Sequence, residues 1–311
     1  MSEMISTRVA YGQALAEIGH DENIVVLDAD LSKSTMTDTF KKKYPERHFN
    51  IGIAEANMMA VAAGLASCGK TVFASTFAMF AAGRAFDQVR NSIGYPHLNV
   101  KIAATHAGIT VGEDGASHQA IEDIALMRSI PGMTVVSPAD AVATNALVKQ
   151  AAKMDGPVYL RLGRMNVPVI YPADAKFEIG KGVTLKDGKD ITLIATGFMV
   201  AQALQAAEIL EKEGILARVI DIHTIKPIDA EIIVKAAKET GAIVTCEEHN
   251  VIGGLGSAVA EVLAKNFPVP AEMVGIEDVF GKSGKPADLI KKYGLTPENI
   301  AEKARKALSR K

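Results

Sequence analysis

Short apolar runs recur along this chain at intervals that each leave room for one helix, and this alternation constrains the fold most. The runs at 23–27, 71–75, 100–104, 133–136 and 158–161 are rich in Val, Ile and Ala. Strands separated by helices of about 10–15 residues pair in parallel, in a sheet covered on both faces. Helices are expected at 7–18 with Thr7 as cap, at 55–66, from Phe77 and Phe80 through Arg84, Asp87 and Arg90, at 118–127 with Ser117 as cap, and at 138–151. A basic helix end at 40–47 stops near Pro45. The helix at 55–66 has few polar positions and is expected to be buried on most sides.

Composition shifts at 166–190, where prolines, glycines and mixed charges suggest a linker with a hairpin at Asp187-Gly188. A second alternation follows, with strands at 191–195, 217–222 and 242–247 and helices at 200–212, 229–239 and 257–265. The tail carries a turn at 280–284 and two short helices. The reading is therefore α/β, with two three-layer α/β/α units: a first domain at 1–170, a linker at 171–190 and a second domain at 191–311.

Of the 311 residues, 48% are hydrophobic and 23% charged, with a net charge of −2, a balance that suits a soluble protein and leaves no basic stripe for nucleic acid. The longest apolar stretches, such as 58–66, are too short to cross a bilayer, and residues 1–8 lack the core of a signal peptide. Cys68 and Cys246 lie far apart and are expected to be reduced, buried and inert, as in a cytoplasmic protein. No His/Cys/Asp set has metal-ligand spacing, and there is no P-loop, no GxGxxG after the first strand and no nucleophile elbow. The Gly253-Gly254-Leu255-Gly256 run before a helix is either an anion cradle or a tight turn, the turn being the simpler reading.

Chemistry concentrates between Phe49 and His118. Glu55 opens an apolar helix, where the positive end of the helix suits a carboxylate and an apolar pocket can raise its pKa until it shares a proton with a ligand nitrogen. Phe77 and Phe80 are three residues apart and suit either a core or a flat heterocycle. His106, Asp114 and His118 place three ionisable groups in a glycine-rich loop after a strand, which points to a polar ligand.

The segment Gly112-Glu113-Asp114-Gly115-Ala116-Ser117-His118-Gln119 with Glu122, the 49–58 segment, Phe77 with Phe80, and the 280–284 turn occur in family order. In these the chain resembles the carboxyl-terminal half of transketolase, in the thiamine-diphosphate enzyme superfamily, over nearly its whole length. The resemblance implies a pyrimidine-binding domain followed by a transketolase C-terminal domain. It implies that Glu55 hydrogen-bonds the cofactor's pyrimidine N1′ and promotes formation of the thiazolium ylid, with Phe77 and Phe80 packed on the aminopyrimidine. His106, Asp114 and His118 would meet sugar hydroxyls. Arg8, Ser34 and Arg164 would hold the sugar phosphate, and Asp30 would lie on the thiazolium side.

The domain that binds the diphosphate through a divalent metal has no counterpart here. The resemblance thus implies one subunit of a split enzyme of the pentose phosphate pathway, nearly inactive alone. Its partner would be an N-terminal subunit carrying Mg2+ or Ca2+, in a 2+2 heterotetramer built on the 55–66 helix and the Ala81-Ala82-Gly83 run. The activity implied is transfer of a two-carbon ketol unit from xylulose 5-phosphate to ribose 5-phosphate or erythrose 4-phosphate. Competing readings of the same fold are the β subunit of a 2-oxo acid dehydrogenase, a deoxyxylulose-phosphate synthase-like enzyme, and a non-catalytic scaffold. His106 and the 112–119 loop favour sugars over a short acid.

Overall fold

The alternating runs become strands, and their hydrogen bonding sorts them into two large sheets. The computed structural model describes residues 3–311. Its strands in chain order are β1 (Met4–Ser6), β2 (Ile24–Asp28), β3 (His48–Asn50), β4 (Thr71–Phe77), β5 (Val100–Thr105), β6 (Thr134–Val136) and β7 (Val158–Arg161). There follow β8 (Asn166–Pro168), β9 (Val183–Lys186), β10 (Ile191–Ala195), β11 (Ala217–Asp221), β12 (Thr224–Lys226), β13 (Ile243–Asn250) and β14 (Ala271–Ile276).

In the first sheet six parallel strands run in the order β6-β7-β5-β4-β2-β3. The second has the order β14-β13-β10-β11-β9, with only the edge strand β9 antiparallel. Strands β2, β5, β7 and β10 are buried at every position, as expected where helices cover both faces. Register aligns the carboxyl ends of the first sheet: Asp28 lies opposite Ser75, Phe77 opposite Thr105, and Ala104 opposite Arg161. Ligands of open α/β sheets bind along such an edge.

The two units interlock. β12, from the second unit's sequence, pairs antiparallel with β6 and completes the first sheet as its seventh strand. The expected linker contains β9, which bypasses the neighbouring β10 and pairs with β11, so no hairpin forms at Asp187-Gly188. Gly188 lies against the backbone of Ala217 and Arg218, and Asp187 accepts a hydrogen bond from Arg218 Nε at 3.0 Å, which ties the crossing chain to β11.

Several local expectations change. Thr7 does not cap its helix (Thr7–Ile18); its hydroxyl accepts from the Gly163 N–H at 2.7 Å. The helix placed at 118–127 begins only at Asp123, because the Gly115 carbonyl takes the His118 and Gln119 N–H groups and holds that stretch as a turn. Ser117 hydrogen-bonds His118 Nδ1 at 3.0 Å instead of capping. The helix placed at 138–151 starts at Ala141, capped by Asp140, whose carboxylate accepts from the Ala143 N–H at 2.8 Å.

The helix Glu55–Ser67 is buried on one side only; Asn57, Ala60, Gly64 and Ser67 are exposed on the other. After β4, Phe80–Arg84 and Val89–Gly94 wind as π-helix, wider than the expected α-helical pitch. Cys246 is buried as expected, whereas Cys68 is exposed.

Candidate active site

The polar residues singled out in the sequence collect at the carboxyl ends of β2, β4, β5 and β7. Phe77 ends β4, and the π-helical turn after it brings Phe80 round so that the two rings stack, centroids 5.9 Å apart and 18° from parallel. The same turn lays the Arg84 guanidinium 4.3 Å over the Phe80 ring. Arg84 Nη1 also donates to Glu55 Oε2 at 2.8 Å. Glu55 is 2% exposed and Arg84 half-exposed, so a buried carboxylate is paired with a guanidinium that stands half in solvent. Nothing in sequence pairs Arg84 with a residue 29 positions earlier, and its part in the site emerges only from the fold.

Past β5, His106 holds left-handed backbone (φ 56°), a conformation uncommon outside glycine. Its ring stacks on Phe77, with centroids 3.9 Å apart, and Nδ1 lies 3.0 Å from Thr105 Oγ1. Burial pushes its pKa down to about 3, and the nearby Arg8, Arg164 and His118 add to the shift, so the imidazole is neutral. His118 is partly buried, with its ring edge-on to Phe80 at 5.2 Å.

Arg8 reaches the β2 side, donating to the Ser34 backbone carbonyl at 2.9 Å rather than to its hydroxyl. Ser34 is placed there by Asp28, whose buried carboxylate accepts from Leu31 N–H, Thr35 Oγ1 and Thr37 Oγ1 at 2.5, 2.6 and 3.0 Å. Burial and, secondarily, Arg164 lower the Arg8 pKa, and its buried Nε has no hydrogen-bond partner among the described residues. Arg164 donates to the Val111 carbonyl and lies 3.6 Å from Glu113. The two guanidiniums are close enough to oppose each other's charge, and guanidinium groups have the donor geometry that suits an anion.

The fold brings together Glu55, Phe77, Phe80, His106, His118, Arg8 and Arg164, with Ser34 touching Arg8. Asp114 is exposed on the loop next to Glu113. Asp30 stands apart on the β3 side, exchanging hydrogen bonds with Asn50 at 2.8 and 2.9 Å. The Gly253–Gly256 run is no open cradle: the Leu255 and Gly256 N–H groups donate to the buried Glu247 carboxylate at 2.7 and 2.8 Å. Among the described residues no group of three or more His, Cys, Asp or Glu is arranged to hold a metal, and no helix is long and apolar enough to cross a membrane.

Residues 3–169 match the family model of the transketolase pyrimidine binding domain, and residues 180–300 that of the transketolase C-terminal domain. A putative transketolase C-terminal section of Methanocaldococcus jannaschii is 55% identical over 300 residues, covering 95% of this chain and 94% of that protein. The 6-deoxy-6-sulfo-D-fructose transketolase subunit SqwH of Clostridium sp. strain MSTE9 is 46% identical, covering 94% and 90%. A split-gene transketolase solved as an inactive β4 tetramer superimposes with a TM-score of 0.93 at 60% identity, covering 99% of both chains. The chain belongs to the transketolase family of thiamine-diphosphate enzymes, as the C-terminal subunit of a split transketolase.

Proposed function

We propose that this subunit, assembled two-and-two with an N-terminal subunit, moves a two-carbon ketol unit from a ketose phosphate such as xylulose 5-phosphate to ribose 5-phosphate or erythrose 4-phosphate. The observation that carries the reading is the juxtaposition of a buried carboxylate, a stacked aromatic pair and a neutral histidine beside two arginines. An aminopyrimidine needs a flat apolar surface and a buried carboxylate at its edge, and Phe77, Phe80 and Glu55 have that chemistry. When bound, thiamine diphosphate supplies the nucleophilic carbon and the electron sink for making and breaking the carbon–carbon bond.

Glu55 would hydrogen-bond the pyrimidine N1′, and Arg84 balances the charge of its carboxylate in this chain. His106, neutral at working pH, would both donate to and accept from sugar hydroxyls, with His118 near it and Asp114 reaching them from the exposed part of the loop. Arg8 and Arg164 bind the terminal anion, and Ser34 closes that end. Asp30 is assigned to the thiazolium side. The diphosphate and its Mg2+ or Ca2+ fall to the N-terminal subunit, which would sit on the exposed faces of Ile53, Asn57, Ala60 and Gly64. The domain division at 1–170, 171–190 and 191–311 and a cytoplasmic location belong to the same reading.

A relative named for a sulfosugar shows why the sugar needs its own test, because a sulfonate and a phosphate both suit paired arginines. The experiment reconstitutes this chain with the N-terminal subunit, thiamine diphosphate and Mg2+, and follows transfer between sugar phosphates while weighing the complex. A 2+2 mass with activity only in the mixture is expected. Transfer by this chain alone, or from sulfosugars but not sugar phosphates, overturns the corresponding part of the proposal.

A further inference from the structure

Two consecutive carboxylates, Glu247 and Glu248, lie in the carboxyl-terminal half of β13, and the strand's two-residue period sends them to opposite faces. Glu247 serves its own unit by capping the helix Leu255–Asn266. Glu248 crosses to the first unit, where its Oε1 accepts the Thr110 N–H at 2.7 Å across 138 residues of sequence. Thr110 lies midway between His106 and Asp114. The approach is close because residue 108 is glycine: a Cβ there would stand 2.2 Å from the Glu248 carboxyl carbon. Arg161 holds the other side, donating to the Glu248 carbonyl at 2.8 Å while pairing with Asp123. Gln119 ties the far end of the loop, its amide donating to the Ile109, Gly112 and Lys282 carbonyls at 3.0–3.2 Å.

We propose that Glu248 is a positioning residue for the reaction: it fixes the 106–114 loop from the second domain, so that the loop meets a sugar already in shape. An unpinned loop would have to be ordered by the sugar itself, and that ordering cost falls on binding. The inference rests on the reading of the 106–118 loop as the sugar site.

The test compares E248A, E248Q and E248D in the enzyme reconstituted with the N-terminal subunit, using xylulose 5-phosphate and hydroxypyruvate as alternative donors. Glutamine keeps the reach to Thr110 without the charge, and aspartate keeps the charge opposite Arg161 without the reach. Expected is a rise of about tenfold in the KM for xylulose 5-phosphate in E248A and E248D, with kcat and the hydroxypyruvate KM within about twofold, and near-native behaviour of E248Q. Faster hydrogen exchange at the Thr110 amide in E248A and E248D, but not E248Q, is expected in the same complexes. Rescue by aspartate rather than glutamine would overturn the proposal, reducing Glu248 to a charge partner of Arg161. Equal losses on both donors with a lowered melting temperature would overturn it too. H106A separates the underlying reading: if it leaves the xylulose 5-phosphate KM unchanged, the sugar-site assignment fails whatever Glu248 does.

Discussion

The two units share an architecture and differ in what they do with the carboxyl ends of their strands. In the first, those ends carry Phe77, His106 and Arg164, and the same unit holds a buried carboxylate, Glu55, whose partner is half-exposed. In the second, the corresponding ends carry Asp221, Glu247 and Glu248, all buried and spent on the protein's own groups. Glu247 fills a helix N-terminus, Glu248 holds a loop of the first unit, and Asp221 accepts from the Tyr171 hydroxyl at 2.8 Å. The same fold position is an open site in one case and a set of internal fastenings in the other. A polar strand end therefore identifies a ligand site only when its partners are missing from the chain itself.

That contrast makes its strongest prediction at Glu55. In the reconstituted enzyme E55Q should slow turnover at least about a hundredfold, the scale of a lost proton-handling group, with the melting temperature nearly unchanged. Turnover near the native rate would break the contrast on its open side. Glu247 should show the reverse pattern. E247A strands two buried N–H groups and should cost about 2–3 kcal/mol in urea unfolding, with the KM of the surviving folded enzyme unaltered. A variant of native stability but impaired substrate binding would return the Gly253–Gly256 turn to the list of ligand sites.

R164A is expected to raise the KM of a phosphorylated acceptor about tenfold and leave that of glycolaldehyde near native, matching one charge-assisted bond. Equal effects on both would move Arg164 out of the anion site. The smallest effect is a pH slope. Burial holds Asp221 at about 7, well above its value in an unfolded chain. The folded state therefore keeps a proton that the unfolded state has released, so this group's contribution to stability is full below about pH 4 and is lost as pH rises towards 7. D221N should gain on the native protein by about 1 kcal/mol per pH unit over that window and level off above pH 7, as read from urea curves. A pH-independent difference would show that Asp221 is not buried in its acid form.

Local pattern carried much of this molecule. The runs at 158–161 and 191–195 became strands at those limits, because a short apolar run between turn residues has few other ways to bury itself. The resemblance resting on 112–119 led to the right family because glycines and ionisable groups at fixed spacing are a local signal. What stayed hidden depends on distant partners. β12 is three residues long and exists only because β6 offers an unpaired edge. Arg84 reaches Glu55 through a π-helical turn that an α-helical period does not describe. Glu248 and Thr110 meet across the domain boundary, and no window of sequence contains both.

The strand that crosses between the units has a consequence for how such a protein can be divided. A cut in the stretch that joins the two domains would part β12 from β6, leaving the N-terminal piece with a bare row of backbone donors and acceptors along its sheet. Such an edge recruits other chains, so the severed piece would tend to aggregate rather than persist as a domain. The Lys226 amine, which closes the carbonyls of Arg128 and Ile130 at 2.8 and 2.5 Å, would be lost with it. Within this polypeptide, then, the two domains are inherited as one indivisible block, however modular their separate sheets look.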